Sequence, residues 1–199
     1  GTGVKVMKLY IIRHGRTTGN ENFLYCGWDD TPLSEGGIEQ LKEMVNTKEY
    51  PSLFGLKVYT SGLTRTEQTL KIIYGDVEHT VLEDFKEMYF GDFEGKSYEQ
   101  MKDDEAFQKW CEGDNLANVC PNGESAYQMA NRVLNALAKL VEANEDCLIV
   151  CHGGPIAAIA MYFFPDDEKE WFNYQPLNGE GYVIEFINGK ADNIKRIPY

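Results

Sequence analysis

An α/β fold with a largely parallel central sheet is what this sequence predicts, and three observations carry that expectation. Two runs, Val4–Ile12 and Cys147–Cys151 ("CLIVC"), are apolar with little polar interruption, the pattern of strands covered on both faces. Segments of helical periodicity follow the strand-like runs, so that strand and helix alternate along the chain. No linker and no internal repeat divides the 199 residues, a length suited to one domain. A domain of that size buries roughly 70% of its unfolded surface.

Taken in order, Val4–Ile12 is the first strand. Met7 is a candidate native start, with residues 1–6 then an extension. Residues 21–33 are rich in Asn, Gly, Asp and Pro and read as a loop. Ser34–Asn46 is a helix with Ser34 as N-cap, because a serine oxygen can accept from the unpaired N–H groups of the first turn. Lys57–Thr60 is a short strand, and Leu63–Tyr74 a helix ended by Gly75. Val81–Phe85 reads as a strand. Glu87–Lys96, with two glycines and no period, reads as a loop, and Tyr98–Trp110 as one helix. Glu124–Glu142 makes the longest helix, since Ala126, Met129, Val133, Leu137 and Leu140 fall at helical spacing. After "CLIVC" the stretch "GGPIAAIAMYF" returns to helix. The chain closes on two strands, Gly181–Ile187 and Ala191–Ile197, turned by the hairpin pair Asn188-Gly189.

Composition excludes some functions. Apolar residues make up 43% of the chain and aromatics 13%, a globular balance. The formal net charge of −13 argues against a nucleic-acid partner, because a phosphate backbone is held by clustered Lys and Arg. No apolar run approaches the roughly 20 residues of a membrane span, and the N-terminus lacks the apolar core of a signal peptide. The expected setting is therefore cytoplasmic, with no membrane partner. Five cysteines without a CxxC pair fit a reduced compartment, with Cys147 and Cys151 as core residues. Composition gives no oligomeric state.

Three polar clusters stand where the strands end: Arg13-His14-Gly15, the stretch Ser61 to Arg65, and His152-Gly153-Gly154. In parallel α/β sheets ligands gather beyond the carboxyl ends of the strands, so topology predicts that these distant segments converge. Two histidines and two arginines in one place would repel each other unless an anion sat among them. Phosphate or carboxylate is the natural choice, because arginine offers planar bidentate donors and keeps its charge. Glycines let backbone approach such a ligand, and N–H groups opening a helix favour an anion. Neighbouring positive charge lowers a histidine's pKa and leaves a ring nitrogen free to attack. Taken singly, Arg65 is an ordinary helix residue, "CHGG" a strand end with a tight turn, and Glu87 one acid among many. His79 reads as a surface histidine, and a thiol nucleophile at Cys151 is the weaker rival to the imidazoles.

"LYIIRHGRTTGN" resembles the signature of the histidine phosphatase superfamily, also called phosphoglycerate mutase-like: an apolar strand, then R-H-G-x-T-x-x-N. "DDTPLSEGGIEQ", "YTSGLTRTEQT", "EMYFGDFEG", "NGES" and "VCHGG" resemble that family's further segments, in its order and over nearly the whole chain. The departure is Gly62, where many members carry proline. The resemblance implies a three-layer α/β/α sandwich, one domain over 1–199 with a lid-like insertion around 87–120. It implies His14 as the nucleophile that becomes phosphohistidine, with Arg13, Arg65 and His152 holding the phosphoryl oxygens. Asn20 and the Gly153 backbone would add phosphate contacts. Glu87 would protonate the leaving alkoxide and then deprotonate the attacking water. No metal and no cofactor is implied, and the three histidines lack metal-ligand spacing.

Within that family a phosphohistidine is either hydrolysed or passed to another hydroxyl. The resembled mutases carry an arginine where this chain has Met88, and a long basic insertion where it has the short acidic "KDDEAFQKWCEGDNLANVC". Hydrolysis of a small phosphorylated metabolite, with inorganic phosphate as product, is therefore the expectation. The alternatives are a cofactor-dependent phosphoglycerate mutase and a non-catalytic phosphate-binding module, the last of which would be expected to lack His14 or Glu87. "YFGDFEG" is also similar to the segment of alpha-ribazole phosphatases and other small phosphatases of the family. Tyr25, Trp28, Phe90, Phe93 and Trp110 are either a ring-accepting lining or core.

Overall fold

Six strands form one sheet in the computed structural model, which describes residues 3–199: β1 (Val6–Arg13), β2 (Lys57–Thr60), β3 (Thr80–Val81), β4 (Cys147–Cys151), β5 (Gly181–Ile187) and β6 (Lys190–Ile197). The order across the sheet is β3-β2-β4-β1-β5-β6. The first four in that row run parallel, and β5 and β6 close the edge as an antiparallel hairpin. The first two residues of the extension read before Met7 lie outside the described residues.

The apolar runs become the centre for the reason their composition suggests: all five residues of β4 are buried, so both faces need cover. On one face Leu9, Ile11, Ile149 and Phe186 pack with Met129, Val133 and Leu137 of α6 (Ala126–Ala143) and Ile156 and Ile159 of α7 (Gly153–Phe163). On the other, Ile12, Val58, Leu148 and Val150 pack with Leu70 and Ile73 of α3 (Thr64–Tyr74), with α2 (Glu35–Thr47) against α3. The three layers are those expected. Ser34 caps α2 through Gly37 N at 3.0 Å, and Ser125 opens α6 in a capping box with Gln128. Among the described residues no helix is long and apolar enough to cross a membrane.

The structure departs from the sequence reading in the irregular middle. The strand expected over Val81–Phe85 is only the two residues of β3, because the chain leaves the sheet and makes a 3-10 turn over Glu83–Phe85 that buries Phe85. The single helix expected over Tyr98–Trp110 is two. Here α4 (Tyr98–Met101) stops, and Asp104 starts α5 (Glu105–Trp110) anew by accepting from Ala106 N at 2.9 Å. An aspartate that caps competes with the helix it interrupts. A short helix, α1 (Thr18–Glu21), precedes the 21–33 loop and is too brief to show a period. At Gly62 the backbone has φ of +90°, a conformation closed to proline, which accounts for the departure at that position.

The segment expected as a loop at 87–96 contains a further 3-10 turn over Gly91–Phe93 and folds with α5 around an aromatic cluster. Phe93 meets Phe107 at 5.4 Å between ring centroids, and Tyr25 meets Phe90 at 5.4 Å, both edge-on. Phe93 is therefore core, Tyr25 packs beside it, and Phe90 and Trp110 lie where core meets a cavity. Trp28 stands apart, half exposed and stacked on Tyr89 at 4.7 Å.

Candidate active site

The parallel register sets the three clusters side by side. Arg13 pairs with Cys151 and Thr60 with Val150, so the residues just beyond, His14, Ser61 and His152, leave the sheet at one level. His14 N donates to the Cys151 carbonyl at 3.1 Å, and the two histidine rings lie 5.2 Å apart between centroids. Arg65, one residue into α3 and 1% exposed, enters from the same end.

Burial and charge fix the state of His14. Removal from water holds its pKa well below the ordinary value, and Arg65 and then Arg13 add to that shift. The ring is neutral at pH 7. Its Nδ1 faces the Gly15 carbonyl at 2.6 Å, which can only accept, so the proton sits on Nδ1 and the lone pair on Nε2. His152 is likewise buried and held neutral, first by desolvation and then by Arg65, His14 and Arg13. Its Nε2 lies 2.7 Å from Ser61 Oγ, and its Nδ1 has no hydrogen-bond partner among the described residues. Cys151 is fully buried in β4, and burial pushes its thiol up to about 12, which disfavours it as a nucleophile.

Both guanidiniums are anchored by backbone and still carry unused donors. Arg65 donates to the Asp29 carbonyl at 3.0 Å and the Gly27 carbonyl at 2.5 Å. Arg13 donates from Nη1 to the Pro176 carbonyl at 2.9 Å, while its buried Nε has no partner among the described residues. Desolvation lowers the pKa of each, and the Glu87 carboxylate is the leading group opposing it. That carboxylate accepts from Gly154 N at 2.9 Å through Oε2 and from Met88 N at 2.8 Å through Oε1. A Cβ on Gly154 would stand 2.0 Å from Glu87 Oε1, so the approach requires glycine. Gly153, beside it, has Arg13 Nε 3.2 Å from its own Cβ position. Asn20 also reaches this end. Its Oδ1 closes the α1 capping box on Thr17 N at 3.1 Å and accepts from Asn178 at 3.4 Å, leaving its amide hydrogens as donors.

Sequence reasoning named these seven residues but missed what holds them. Arg132 on α6 donates to the Asp84, Lys86 and Glu87 carbonyls, each at 2.7 Å, and pairs with Glu124 at 2.5 Å. Glu124 also accepts from Tyr89 N at 2.9 Å, so the pair grips the segment carrying Glu87 from both sides. Glu94 accepts from Trp28 N at 2.8 Å and Gly27 N at 3.0 Å, fixing the loop whose carbonyls hold Arg65. Thr69 accepts from Gly15 N at 2.9 Å. Glu124 and Glu94 lie within the quoted "NGES" and "DFEG" segments, a signal that they matter without saying how. Arg132 has no such signal. His79 is a surface residue as expected, 2.7 Å from Glu67.

The chain resembles known proteins over nearly its whole length. The histidine phosphatase superfamily (branch 1) matches residues 9–196. The adenosylcobalamin/alpha-ribazole phosphatase of Salmonella typhimurium strain LT2 is 31% identical over 192 residues, 93% of this chain and 93% of that protein. A 2,3-bisphosphoglycerate-dependent phosphoglycerate mutase of Blochmanniella floridana is 31% identical over 234 residues, 98% of this chain and 97% of its own. The crystal structure of the alpha-ribazole phosphatase from Shigella flexneri superposes with a TM-score of 0.82 at 26% identity, covering 97% of this chain and 96% of that one.

Proposed function

This chain belongs to the histidine phosphatase superfamily (branch 1), and on that premise we propose that it hydrolyses small phosphomonoesters through a phosphohistidine on His14, without a metal ion. The Nε2 lone pair of His14 attacks phosphorus, and the bond from phosphorus to the alcohol oxygen breaks. Its electron pair leaves on the oxygen, which takes the proton of the Glu87 carboxylic acid. Water then enters, loses a proton to the Glu87 carboxylate and attacks phosphorus, and the N–P electron pair returns to Nε2. Inorganic phosphate leaves, and Glu87 is protonated for the next cycle.

The other residues supply charge and donors. Arg13 and Arg65 face the equatorial oxygens as transfer spreads charge over them, the arrangement phosphoryl transfer needs. If the Ser61 hydroxyl donates to His152 Nε2, the proton of the neutral ring is on Nδ1, where it can serve an oxygen. The Asn20 amide and the Gly153 backbone complete the donor set. The single observation that carries the reading is a buried histidine whose Nδ1 is committed to the Gly15 carbonyl, leaving Nε2 free, with the buried Arg65 and the partly buried Arg13 close enough to lower its pKa. The reading takes the chain as one domain with 87–120 as its lid. It sets the enzyme in the cytoplasm, which the five free cysteines support.

The test is phosphate release from a panel of phosphomonoesters with chelator present, together with trapping of radiolabelled phosphoenzyme in alkaline detergent, followed by an acid wash that should remove the label. Wild type should release phosphate and carry acid-labile label, and His14→Ala should lose both. Release that survives in His14→Ala removes the nucleophile. Isomerisation of 3-phosphoglycerate with its diphosphate cofactor, without net release, would make the chain a mutase despite the buried Met88.

A further inference from the structure

We propose that a cavity at the outer edge of the sheet, separate from the catalytic centre, is a second binding site that takes a small aromatic anion. None of the residues assigned to phosphoryl transfer lines this cavity, so the site stands whether or not the phosphatase reading does.

The cavity encloses about 210 Å³ and is lined from the end of α7, the 3-10 turn over Trp171–Tyr174 and strands β5 and β6. That is below the roughly 300–1,000 Å³ of sites for drug-sized ligands, a size that suits one substituted ring. Phe164, Tyr174 and Tyr182 supply aromatic walls, and Ala160 and Ile194 further apolar surface. Both tyrosine hydroxyls already donate, Tyr182 to the Tyr174 carbonyl at 2.8 Å and Tyr174 to the Phe164 carbonyl at 3.3 Å. Their rings are what these residues offer a ligand, and the free side-chain donors belong to Lys169, Lys195 and Arg196.

Those three cations set the sign of the ligand. Register places Arg196 opposite Tyr182 and Ile194 opposite Ile184, so Arg196 shares the face of the sheet on which α7 packs. Lys169 approaches from the turn, its Nζ 5.3 Å from the centre of the Tyr174 ring, and Lys195 adds a third charge. Among the described residues none of the three joins an ion pair. No carboxylate lines the cavity, and the acids flanking Lys169 in sequence, Asp166, Asp167, Glu168 and Glu170, lie outside the lining. The chain has 32 acidic residues against 19 basic ones, and exposed lysines elsewhere, such as Lys57 and Lys102, do find carboxylates. Three unpaired cations around one aromatic-walled cavity therefore match a ligand with an apolar ring and anionic oxygens. Arg196 supplies a planar fork for those oxygens and the lysines point charges.

The experiment is a titration of the full chain with phthalate, followed by amide NMR, with inorganic phosphate at saturation so that the catalytic centre is already filled. The amides of Ala160, Tyr174, Tyr182, Ile194 and Arg196 should shift together and saturate with a Kd of about 1 mM, ordinary for a ligand of about a dozen heavy atoms. Added salt should weaken the binding. Arg196→Ala and Lys169→Ala, both at exposed positions, should each weaken it about 3- to 10-fold and leave thermal stability unchanged, while Lys190→Ala, on β6 but outside the cavity, should not alter it. Equal shifts of these amides by benzyl alcohol would remove the need for charge. Saturation of them by inorganic phosphate alone would remove the need for a ring. Either result overturns the proposal, as do phthalate shifts confined to the amides around His14 and His152, or wild-type affinity in both cavity variants.

Discussion

His14, Ser61 and His152 stand just beyond the ends of three adjacent parallel strands, whereas Glu87 stands in an irregular segment held in place by side chains from elsewhere. The first arrangement is fixed by backbone. Register places the residues, and Gly15, Gly27, Asp29 and Pro176 carbonyls orient the imidazole and the guanidiniums. The second depends on Arg132, Glu124 and a glycine with no room for a methyl group. In the proposed reaction the strand-end half performs the step common to all phosphomonoesters. The irregular half meets the part of the substrate that differs between them. A rigid scaffold for the shared chemistry and an adaptable segment for the variable group is a division loops and sheets are suited to.

The comparison breaks most sharply at Gly154, where the two halves touch. Gly154→Ala puts a Cβ 2.0 Å from Glu87 Oε1 and must displace the carboxylate while leaving the phosphate cradle in place. Alkyl phosphates should lose about 10²- to 10⁴-fold in kcat, the range of a general acid. Nitrophenyl phosphate, whose leaving group needs no proton, should lose far less, and equal losses would show that Glu87 is not the acid. A smaller effect is expected from Arg65→Lys in the other half. The ammonium cannot reproduce two carbonyl anchors together with a fork toward phosphate, so inorganic phosphate should inhibit about 10- to 100-fold more weakly for every ester alike. Inhibition at the wild-type concentration would mean that Arg65 does not face the anion.

Arg132→Gln sharpens the contrast from further away, since Arg132 holds the backbone of the segment that carries Glu87. Losing its bonds to three carbonyls and Glu124 should loosen residues 84–89. The expected signature is a loss of about tenfold on alkyl phosphates against about twofold on nitrophenyl phosphate, with KM for the latter nearly unchanged. A merely structural role would lower both in step with thermal stability.

The same division explains what the sequence made legible. Contiguous motifs such as Arg13-His14-Gly15 and His152-Gly153-Gly154 carry both the strand that positions them and the chemistry, so topology alone predicts their meeting. Gly62 looked like a departure until its positive φ showed why proline cannot stand there. Glu87, by contrast, needed a family resemblance to be noticed. Its partners Gly154 and Arg132 lie 67 and 45 residues away in a region of 3-10 turns and split helices, where no period links them. The break at Asp104 is a contest between capping and helix extension that local propensity leaves open. Phe93 as core and Trp110 as cavity wall have the same hydrophobic signature in sequence and are separated only by packing.

The smallest effect at neutral pH concerns stability and again divides the two halves. His14 and His152 are buried with pKa values held well below the ordinary value, so the folded chain keeps them neutral where the unfolded chain would take up protons. As pH falls below about 6.5 the unfolded state binds more protons than the folded state, and stability falls by up to about 1.4 kcal/mol per pH unit for each such histidine. His79 has the opposite sign. Its bond to Glu67 raises its pKa, so its contribution is present below about 6.5 and fades as pH rises through the raised value. That pair is near the surface and screened, so the buried histidines set the net slope. Urea unfolding between about pH 5 and 7.5, above the range where carboxylates titrate, should show stability declining toward acid. His152→Asn should flatten that decline by about one proton, while His79→Asn should steepen it slightly. An unaltered slope in His152→Asn would mean that the ring takes up a proton in the folded protein, and the neutral pair proposed to flank the phosphate would not exist.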